Sequence, residues 1–410
     1  MTTLSRKTVA ILLAVFATVA VAFTSMYITL ALTANQSSED ASMYIVDEDV
    51  HETISRYARL DEVYQRLMDK YYREPDSETL IQGAIDGMLA SLGDPYTFYY
   101  TPEELAKSNE EHNGLYTGIG MLVTADEDGR LLVLRVFSDS PARQSGILPG
   151  DVILTADGAP VSAETSEIMN EAVSRIKGEA GTNVELEILR KNERMRISVE
   201  RRNVSINRVE YQILDGNIGY LVLYEFFGDA VEGVREALEA FQSANVDGVI
   251  FDVRSNTGGQ LDICLDICDM VLPEGIIVYT EDRSGYREYY YSKAERFEFP
   301  MAILVNGLTA SASEIFASAA QDYEIAAVVG TQTFGKGIVQ TQYPFLSDNA
   351  AMQLTTSSYY SPLGRSIHGE GVTPDVKVEL NDSYDASIYA PDLENDNQLK
   401  AAYDLLMARQ

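Results

Sequence analysis

Residues 305–315 read V-N-G-L-T-A-S-A-S-E-I, and residues 330–340 read G-T-Q-T-F-G-K-G-I-V-Q. An apolar run precedes the first segment and predicts a strand, its small residues predict a turn, and the apolar spacing after Ser311 predicts an amphipathic helix. A serine at a strand-to-helix turn exposes its hydroxyl near a helix N-terminus, which favours developing negative charge. Ser311 is therefore a candidate nucleophile.

Lys336 lies between two glycines, before what the pattern predicts to be a returning strand edge. A lysine can serve as the base for a serine only when it is neutral, and burial in an apolar site favours that form. Spacing alone leaves a second interpretation open, in which the lysine is solvated in a turn and the serine only caps a helix.

Both segments resemble the active-site region of the C-terminal processing peptidases, a family of serine peptidases with a Ser/Lys dyad. The resemblance implies that Ser311 is the nucleophile, Lys336 the general base and Gln340 the residue that orients the lysine. Thr309 occupies a position where the family usually has serine. No metal and no cofactor is implied.

Upstream, a strand at residues 217–227, a helix at 231–244 and a short strand at 249–251 follow one another, and this βαβ rhythm predicts a mainly parallel sheet. The fold class that we expect is an α/β catalytic core, a mixed sheet with covering helices, with an inserted β-rich domain and an N-terminal helical region. A further strand, at residues 352–360, alternates like an edge strand.

The segment D-V-R-S-N-T-G-G-Q-L begins at Asp252 and resembles a family motif, with Thr257 in place of proline. Amides in a glycine turn that leads into a helix form a nest for anions. Arg254 is expected to anchor this loop and not to contact substrate. The resemblance assigns the oxyanion hole to Gly258, Gly259 and Ala312.

Residues 111–202 form a β-rich module, with a hairpin predicted at Asp128-Gly129, a helix at residues 164–176 and a strand at 184–189. The module resembles a PDZ domain, a fold that binds peptides by strand addition. This implies that substrates are recognised by exposed C-terminal tails; a purely structural spacer is the alternative. The loop implied to bind the terminal carboxylate consists of Tyr116, Thr117, Gly118, Ile119 and Gly120.

Residues 8–34 carry no charge and follow Arg6 and Lys7. As a helix the run would be about 40 Å long, enough to cross a bilayer with tilt. We therefore expect residues 1–34 to be a membrane anchor; a signal peptide cleaved after Leu32-Thr33-Ala34 is the rival. The basic residues place the N-terminus in the cytoplasm and the rest of this single-pass, bacterial-type protein outside.

The remaining boundaries follow from composition. We expect residues 35–51 to be an acidic linker and residues 52–110 an N-terminal helical region, with an apolar stripe at Leu60, Val63, Leu67 and Tyr71. Residues 203–380 are expected to form the peptidase core, and residues 381–410 a polar segment that ends in a helix. Within the helical region, L-G-D-P-Y-T at residues 92–97 resembles the family signature L-D-D-P-Y-T. In this chain Gly93 takes the place of the first aspartate.

A net charge of −32 argues against a nucleic-acid partner. Cys264 and Cys268 are expected to be buried core thiols, since a metal site needs more ligands. His368, the one histidine of the core, offers a rival Ser311/His368 pairing. The sequence as a whole predicts a membrane-anchored, extracytoplasmic serine endopeptidase that cleaves proteins near their C-termini. The alternative is a non-catalytic scaffold that binds C-terminal tails, and assembly as a homo-oligomer stays open.

Overall fold

The computed structural model describes residues 48–408, except residues 114, 127, 138, 346–348 and 382–390. The chain divides into two compact units, residues 1–82 and 83–410. The predicted anchor, residues 1–34, lies outside the described residues. Among the residues that are described, no helix is both long and apolar enough to cross a bilayer.

The first unit is helical where the structure describes it. Helix α1, Glu48–Lys70, carries the predicted apolar stripe, and Val63 on this stripe is 51% exposed. Helix α2, Ser77–Ala90, starts in this unit. Asp76 accepts hydrogen bonds from the amide of Thr79 at 2.8 Å and from its hydroxyl at 2.7 Å, and so caps α2. Both predicted helices are confirmed.

The second unit begins within α2, continues with a short strand and a helix, and then enters the β-rich module. These elements are β1 (Phe98–Tyr100), α3 (Pro102–Asn113), β2 (Leu115–Gly118), β3 (Met121–Ala125), β4 (Leu131–Val136), α4 (Pro141–Gln144), β5 (Val152–Ala156), β6 (Ala159–Pro160), α5 (Ser166–Ile176), β7 (Asn183–Arg190), β8 (Glu193–Glu200) and β9 (Arg202–Ser205). The predicted helix and closing strand are found as α5 and β7.

The module has its own sheet and its own core. The strand order is β3-β4-β5-β7-β8, with β6 paired to β5, while β2 and β9 form a separate antiparallel pair. The predicted hairpin joins β3 to β4, and its turn is closed by a 3.0 Å hydrogen bond from the Gly129 amide to the Asp126 carbonyl. Leu131, Val133 and Ile188 are among the residues that fill its interior.

The predicted α/β core follows. Its elements are β10 (Val209–Leu214), β11 (Ile218–Leu223), α6 (Ala230–Ala244), β12 (Gly248–Asp252), α7 (Leu261–Val271), β13 (Gly275–Asp282), β14 (Arg287–Ser292), β15 (Met301–Val305), α8 (Ala312–Asp322), β16 (Ala326–Gly330), β17 (Ile338–Pro344), β18 (Ala351–Tyr360), β19 (Val376–Lys377) and α9 (Asn397–Met407).

The central sheet has the order β10-β11-β12-β15-β16-β19. β10 is antiparallel to β11, and the pairs from β11 onward are parallel, as the βαβ rhythm predicted. The side chains of this sheet enter two apolar cores, because successive residues of a strand point to opposite faces. Helices α6, α7 and α8 pack into one core, and α9 packs into the other. Parallel strands covered on both faces are apolar on both faces, and every residue of β12 and β15 is buried.

A second sheet has the order β1-β18-β13-β14, with β17 also paired to β18. The prediction of an edge strand at residues 352–360 is wrong, because β18 pairs with β1, β13 and β17 along its length. Residues 352–358 are all half-buried, so burial does not alternate along the strand. The N-terminal region also contains this strand β1, which a purely helical prediction missed.

Candidate active site

Ser311 lies where β15 has turned into α8. Its backbone has φ 57° and ψ −119°, a conformation that a non-glycine residue adopts only when its surroundings enforce it. The turn is held by Thr309, whose hydroxyl donates to the carbonyl of Val253 at 2.8 Å and accepts from the amide of Asn306 at 3.0 Å. Because the hydroxyl makes these contacts, threonine can replace the serine usual in the family.

Glu314 joins the serine turn to the lysine loop. This fully buried carboxylate accepts from the amide of Ser311 at 2.9 Å, from that of Lys336 at 2.9 Å and from that of Gly335 at 2.7 Å. The hydroxyl of Thr333 is a fourth donor. Sequence analysis gave Glu314 no role, although S-A-S-E matches the capping-box spacing S-x-x-E and could have pointed to it.

Lys336 is half-buried just before β17. Burial lowers the pKa of its amine, and the negative charges of Asp94 and Glu314 oppose that shift. The single hydroxyl proton of Tyr359 is shared between the carbonyl of Lys336 and that of Ser311, the latter at 3.0 Å. Burial raises the pKa of the Tyr359 phenol, so that it remains a donor.

The glycines beside Lys336 permit close packing. A Cβ on Gly337 would lie 2.3 Å from the backbone nitrogen of His368, so a side chain there would displace the neighbouring loop. Gly335 has φ +88°, which favours glycine. The same loop places His368 on the outside, where its side chain is exposed.

The glycine turn after β12 approaches Ser311 closely. A Cβ on Gly258 would lie 2.8 Å from the Cβ of Ser311, and a Cβ on Gly259 would lie 2.3 Å from the carbonyl oxygen of Phe226. Both positions also have positive φ, +107° and +149°. Only glycine allows the turn to reach the serine.

The amide of Gly258 already has a partner, because it donates to Oδ1 of Asn256 at 2.9 Å. Of the three residues expected in the oxyanion hole, Gly258, Gly259 and Ala312, the first therefore has an amide that is already engaged. Among the described residues, the amides of Gly259 and Ala312 donate no hydrogen bond. These two amides are the ones left free to bind an oxyanion.

Arg254 anchors the glycine turn, as expected. Its guanidinium donates to Asp252 at 2.6 Å and to Asp396 at 2.7 Å, and to Gln398 at 3.1 Å. Tyr220 donates to Asp252 at 2.8 Å. All of these groups are buried. Since Asp396 caps α9, the C-terminal helix is tied to the active-site turn.

One cavity of about 770 Å³ collects the predicted residues. Ser311 and Lys336 share it without a hydrogen bond between these two described side chains, a common feature of unliganded catalytic sites. Apolar side chains such as Leu265, Ile315 and Val339 cover part of its wall. The other predicted residues that line it are Gln340, Gly258, Gly259 and Ala312.

Sequence and structure comparisons identify the relatives of this site. A family model described as "Peptidase family S41" matches residues 217–378, a PDZ domain model matches residues 117–200, and the "Activating protease CtpB N-terminal domain" matches residues 19–104. A carboxy-terminal-processing protease of Bartonella bacilliformis is 37% identical over 80% of this chain and 76% of its own length. The carboxyl-terminal-processing protease of Synechocystis is 36% identical over 85% of this chain and 83% of its own.

The chain belongs to the carboxy-terminal processing proteases of family S41. It is thus a serine-type peptidase with a PDZ domain, and it acts on proteins. The solved photosystem II D1 C-terminal processing protease is 27% identical over 86% of this chain and 95% of its own, with a TM-score of 0.53. A putative S41 protease from Bacteroides fragilis shares the fold, with a TM-score of 0.60 at 16% identity over 85% and 97%.

In this S41 protease, Gln340 lines the cavity, and no hydrogen bond joins its side chain to that of Lys336 among the described residues. Its side-chain amide lies 3.4 Å from the carbonyl of Ile338 and 3.4 Å from the hydroxyl of Thr355. Its orienting role remains a prediction. The side chain of His368 is exposed and does not line the cavity, so the described geometry offers the rival Ser/His pairing no support.

The two cysteines are buried, as expected. The thiol of Cys264 donates to the carbonyl of Ala312 at 3.2 Å, behind the serine turn. Burial raises the pKa of the Cys268 thiol. Both are packing residues of α7.

The PDZ domain differs in detail from the prediction. Tyr116, Thr117 and Gly118 are not in a loop, because β2 pairs with β9 and the pairing occupies part of its backbone. Ile119 and Gly120 form the connection to β3. A Cβ on Gly120 would lie 2.2 Å from the Cβ of Ser140, so this position requires glycine. Within the described residues, β3 is the last strand of its sheet and leaves one edge open.

Proposed function

We propose that this protease is a membrane-anchored, extracytoplasmic endopeptidase that cleaves proteins near their C-termini with a Ser311/Lys336 dyad. The observation that carries the proposal is the shared cavity: a serine in an enforced backbone conformation, a lysine whose pKa is lowered by burial, and two unpartnered amides line one space.

In the proposed mechanism, Oγ of Ser311 attacks the peptide carbonyl while neutral Lys336 takes its proton. The amides of Gly259 and Ala312 stabilise the oxyanion. The lysine then protonates the leaving amine, and the acyl-enzyme is released when water attacks and gives its proton to the lysine.

Three variants test the dyad. Ser311→Ala and Lys336→Arg should each lose several orders of magnitude in kcat/KM on an unfolded model protein, because a guanidinium cannot be deprotonated in a protein. Circular dichroism should show that both are folded. His368→Ala is the control and should keep most of its activity. A nearly wild-type Lys336→Arg beside an inactive His368→Ala would transfer the role of base to the histidine.

Tail recognition by the PDZ domain is the second part of the proposal. A substrate tail would add to the open edge of β3 and place its carboxylate at the amides of Ile119 and Gly120. Amidation of the C-terminus removes charge-assisted hydrogen bonds and should slow cleavage. Equal rates for acid and amide would argue against carboxylate recognition while leaving the dyad in place.

Membrane attachment is the third part, and it is supported by the uncharged run at residues 8–34 behind Arg6 and Lys7. The full-length protein should resist alkaline carbonate extraction, and added protease should reach its core in intact cells. A mature N-terminus near Asn35 would indicate a cleaved signal peptide instead.

A further inference from the structure

An aromatic ring covers the amine of Lys336. Nζ lies 4.4 Å from the ring centroid of Tyr96, a residue of the 92–97 segment to which sequence analysis gave no role in the site. A cation at this distance from an aromatic face is attracted by the ring quadrupole. No such attraction acts on the neutral amine.

A hydrogen-bond network holds the backbone that carries this ring. Asp94 accepts from the amide of Tyr96 at 2.9 Å and from the hydroxyl of Thr97 at 2.7 Å. The Thr97 hydroxyl in turn accepts from the amide of Thr355 at 3.0 Å, and the side chain of Gln353 donates to the carbonyl of Tyr96 at 3.2 Å. The backbone that carries the ring is thus tied to β18, the strand whose Tyr359 hydroxyl hydrogen-bonds to the carbonyl of Lys336.

We propose that Tyr96 is a positioning residue of the proposed dyad: its ring face holds the Lys336 side chain and stabilises the ammonium formed during catalysis. In that step the Nζ lone pair takes the proton from Oγ of Ser311, while the Oγ–H electron pair forms the new bond to the substrate carbonyl carbon. The carbonyl π pair moves to the oxygen. Nζ therefore becomes a cation as the reaction proceeds, and the ring favours that change.

Burial and charge act in opposite directions on the protonation of Lys336. Burial favours the neutral amine, and Asp94 and Glu314 favour the ammonium. A test must change the ring electrostatics and leave burial and these charges as they are. Among the described residues, the other titratable groups that share the cavity with the lysine are Asp262, Tyr100, Tyr290 and Tyr359. His368 belongs to the adjacent loop, and its backbone abuts Gly337.

A fluorinated series meets this requirement. In the full-length protease, Tyr96 is replaced by phenylalanine and by its 4-fluoro, 3,5-difluoro and 3,4,5-trifluoro forms, which keep the ring's shape and reduce the negative charge of its face. The pH dependence of kcat/KM is measured on a quenched fluorescent peptide. Each fluorine weakens the attraction between the ring and the ammonium, so the pKa of Lys336 should fall along the series. The rising limb of the pH profile of kcat/KM should therefore move to lower pH, by roughly 0.5 to 1 unit over the series.

The matched control is the same series at Tyr99, which packs on Phe345 with ring centroids 5.9 Å apart; there the limb should stay fixed. A limb that does not move along the Tyr96 series, or that moves equally along the Tyr99 series, overturns the inference. This inference rests on Lys336 as the base, so Lys336→Met is assayed in parallel. An active Lys336→Met overturns the dyad and the Tyr96 role together, whereas an inactive one with an unmoved limb overturns the Tyr96 role alone.

Discussion

Ser311 and Lys336 line the same cavity, but the structure holds them in different ways. Ser311 is fixed by backbone: its turn follows a buried strand, and residues 312–320 of the helix after it are all buried. Lys336 is a half-buried side chain whose surroundings come from distant segments, Asp94 and Tyr96 before the PDZ domain and Tyr359 after the lysine.

This difference separates two requirements of the proposed catalytic pair. The serine needs a precise direction, which a rigid local turn supplies. The lysine needs a suitable proton affinity, which depends on the balance of burial, charge and ring contact in the assembled fold. Substitutions on the two sides should therefore affect stability and activity in different proportions.

The largest effect on activity with the smallest cost in stability is expected at the lysine. Lys336→Met removes the proposed base and should lower kcat/KM by several orders of magnitude. Because it also removes a partly desolvated amine and keeps an apolar stem, its melting temperature should equal or exceed that of the wild type. A clear drop in melting temperature would show that the lysine is a structural element after all.

Arg254→Met is expected to show the opposite balance, with a large loss of stability. It leaves Asp252 and Asp396 buried without their cation, and the free energy of unfolding should fall by about 3–5 kcal/mol. Urea denaturation measures this loss. Arg235→Met, on the exposed side of α6, is the control and should change stability by less than about 1 kcal/mol. Equal losses in the two variants would contradict an anchoring role.

Glu314→Ala tests the connection between the two sides. It leaves the amides of Ser311, Gly335 and Lys336 without their acceptor, so the free energy of unfolding should fall by about 2–4 kcal/mol and kcat/KM should fall as well. Glu236→Ala, at an exposed position of α6, is the control. If activity falls without any loss of stability, Glu314 acts in chemistry and not in support.

The smallest effect concerns pH. Burial lowers the pKa of Lys336 below the 10.5 of the unfolded chain, so between the two values the unfolded state binds more protons. Stability contributed by this group therefore rises with pH through that window. The stability advantage of Lys336→Met should shrink in the same window, as urea denaturation at several pH values will show. A constant difference would mean that the lysine pKa is the same in both states.

The sequence predicted the serine side well and the lysine side incompletely. The strand, turn and helix around Ser311 follow from local apolar spacing, and the βαβ order follows from the same rule. Sequence analysis did not find Tyr96 or Tyr359 beside the lysine, because each reaches it only through the pairing of β18 with its neighbours. Sequence analysis also placed the Gly258 amide in the oxyanion hole. No spacing rule shows that this amide donates its hydrogen bond to Asn256.

The tie between Arg254 and Asp396 has a consequence for the timing of biogenesis. Asp396 follows Ser311 and Lys336 in the chain, so a ribosome releases the proposed nucleophile and base before the carboxylate that completes the anchor of the glycine turn. In a nascent chain that ends before residue 396, the turn beside Ser311 lacks its second counterion. The glycine turn is therefore expected to reach its final stability only after synthesis has passed residue 396.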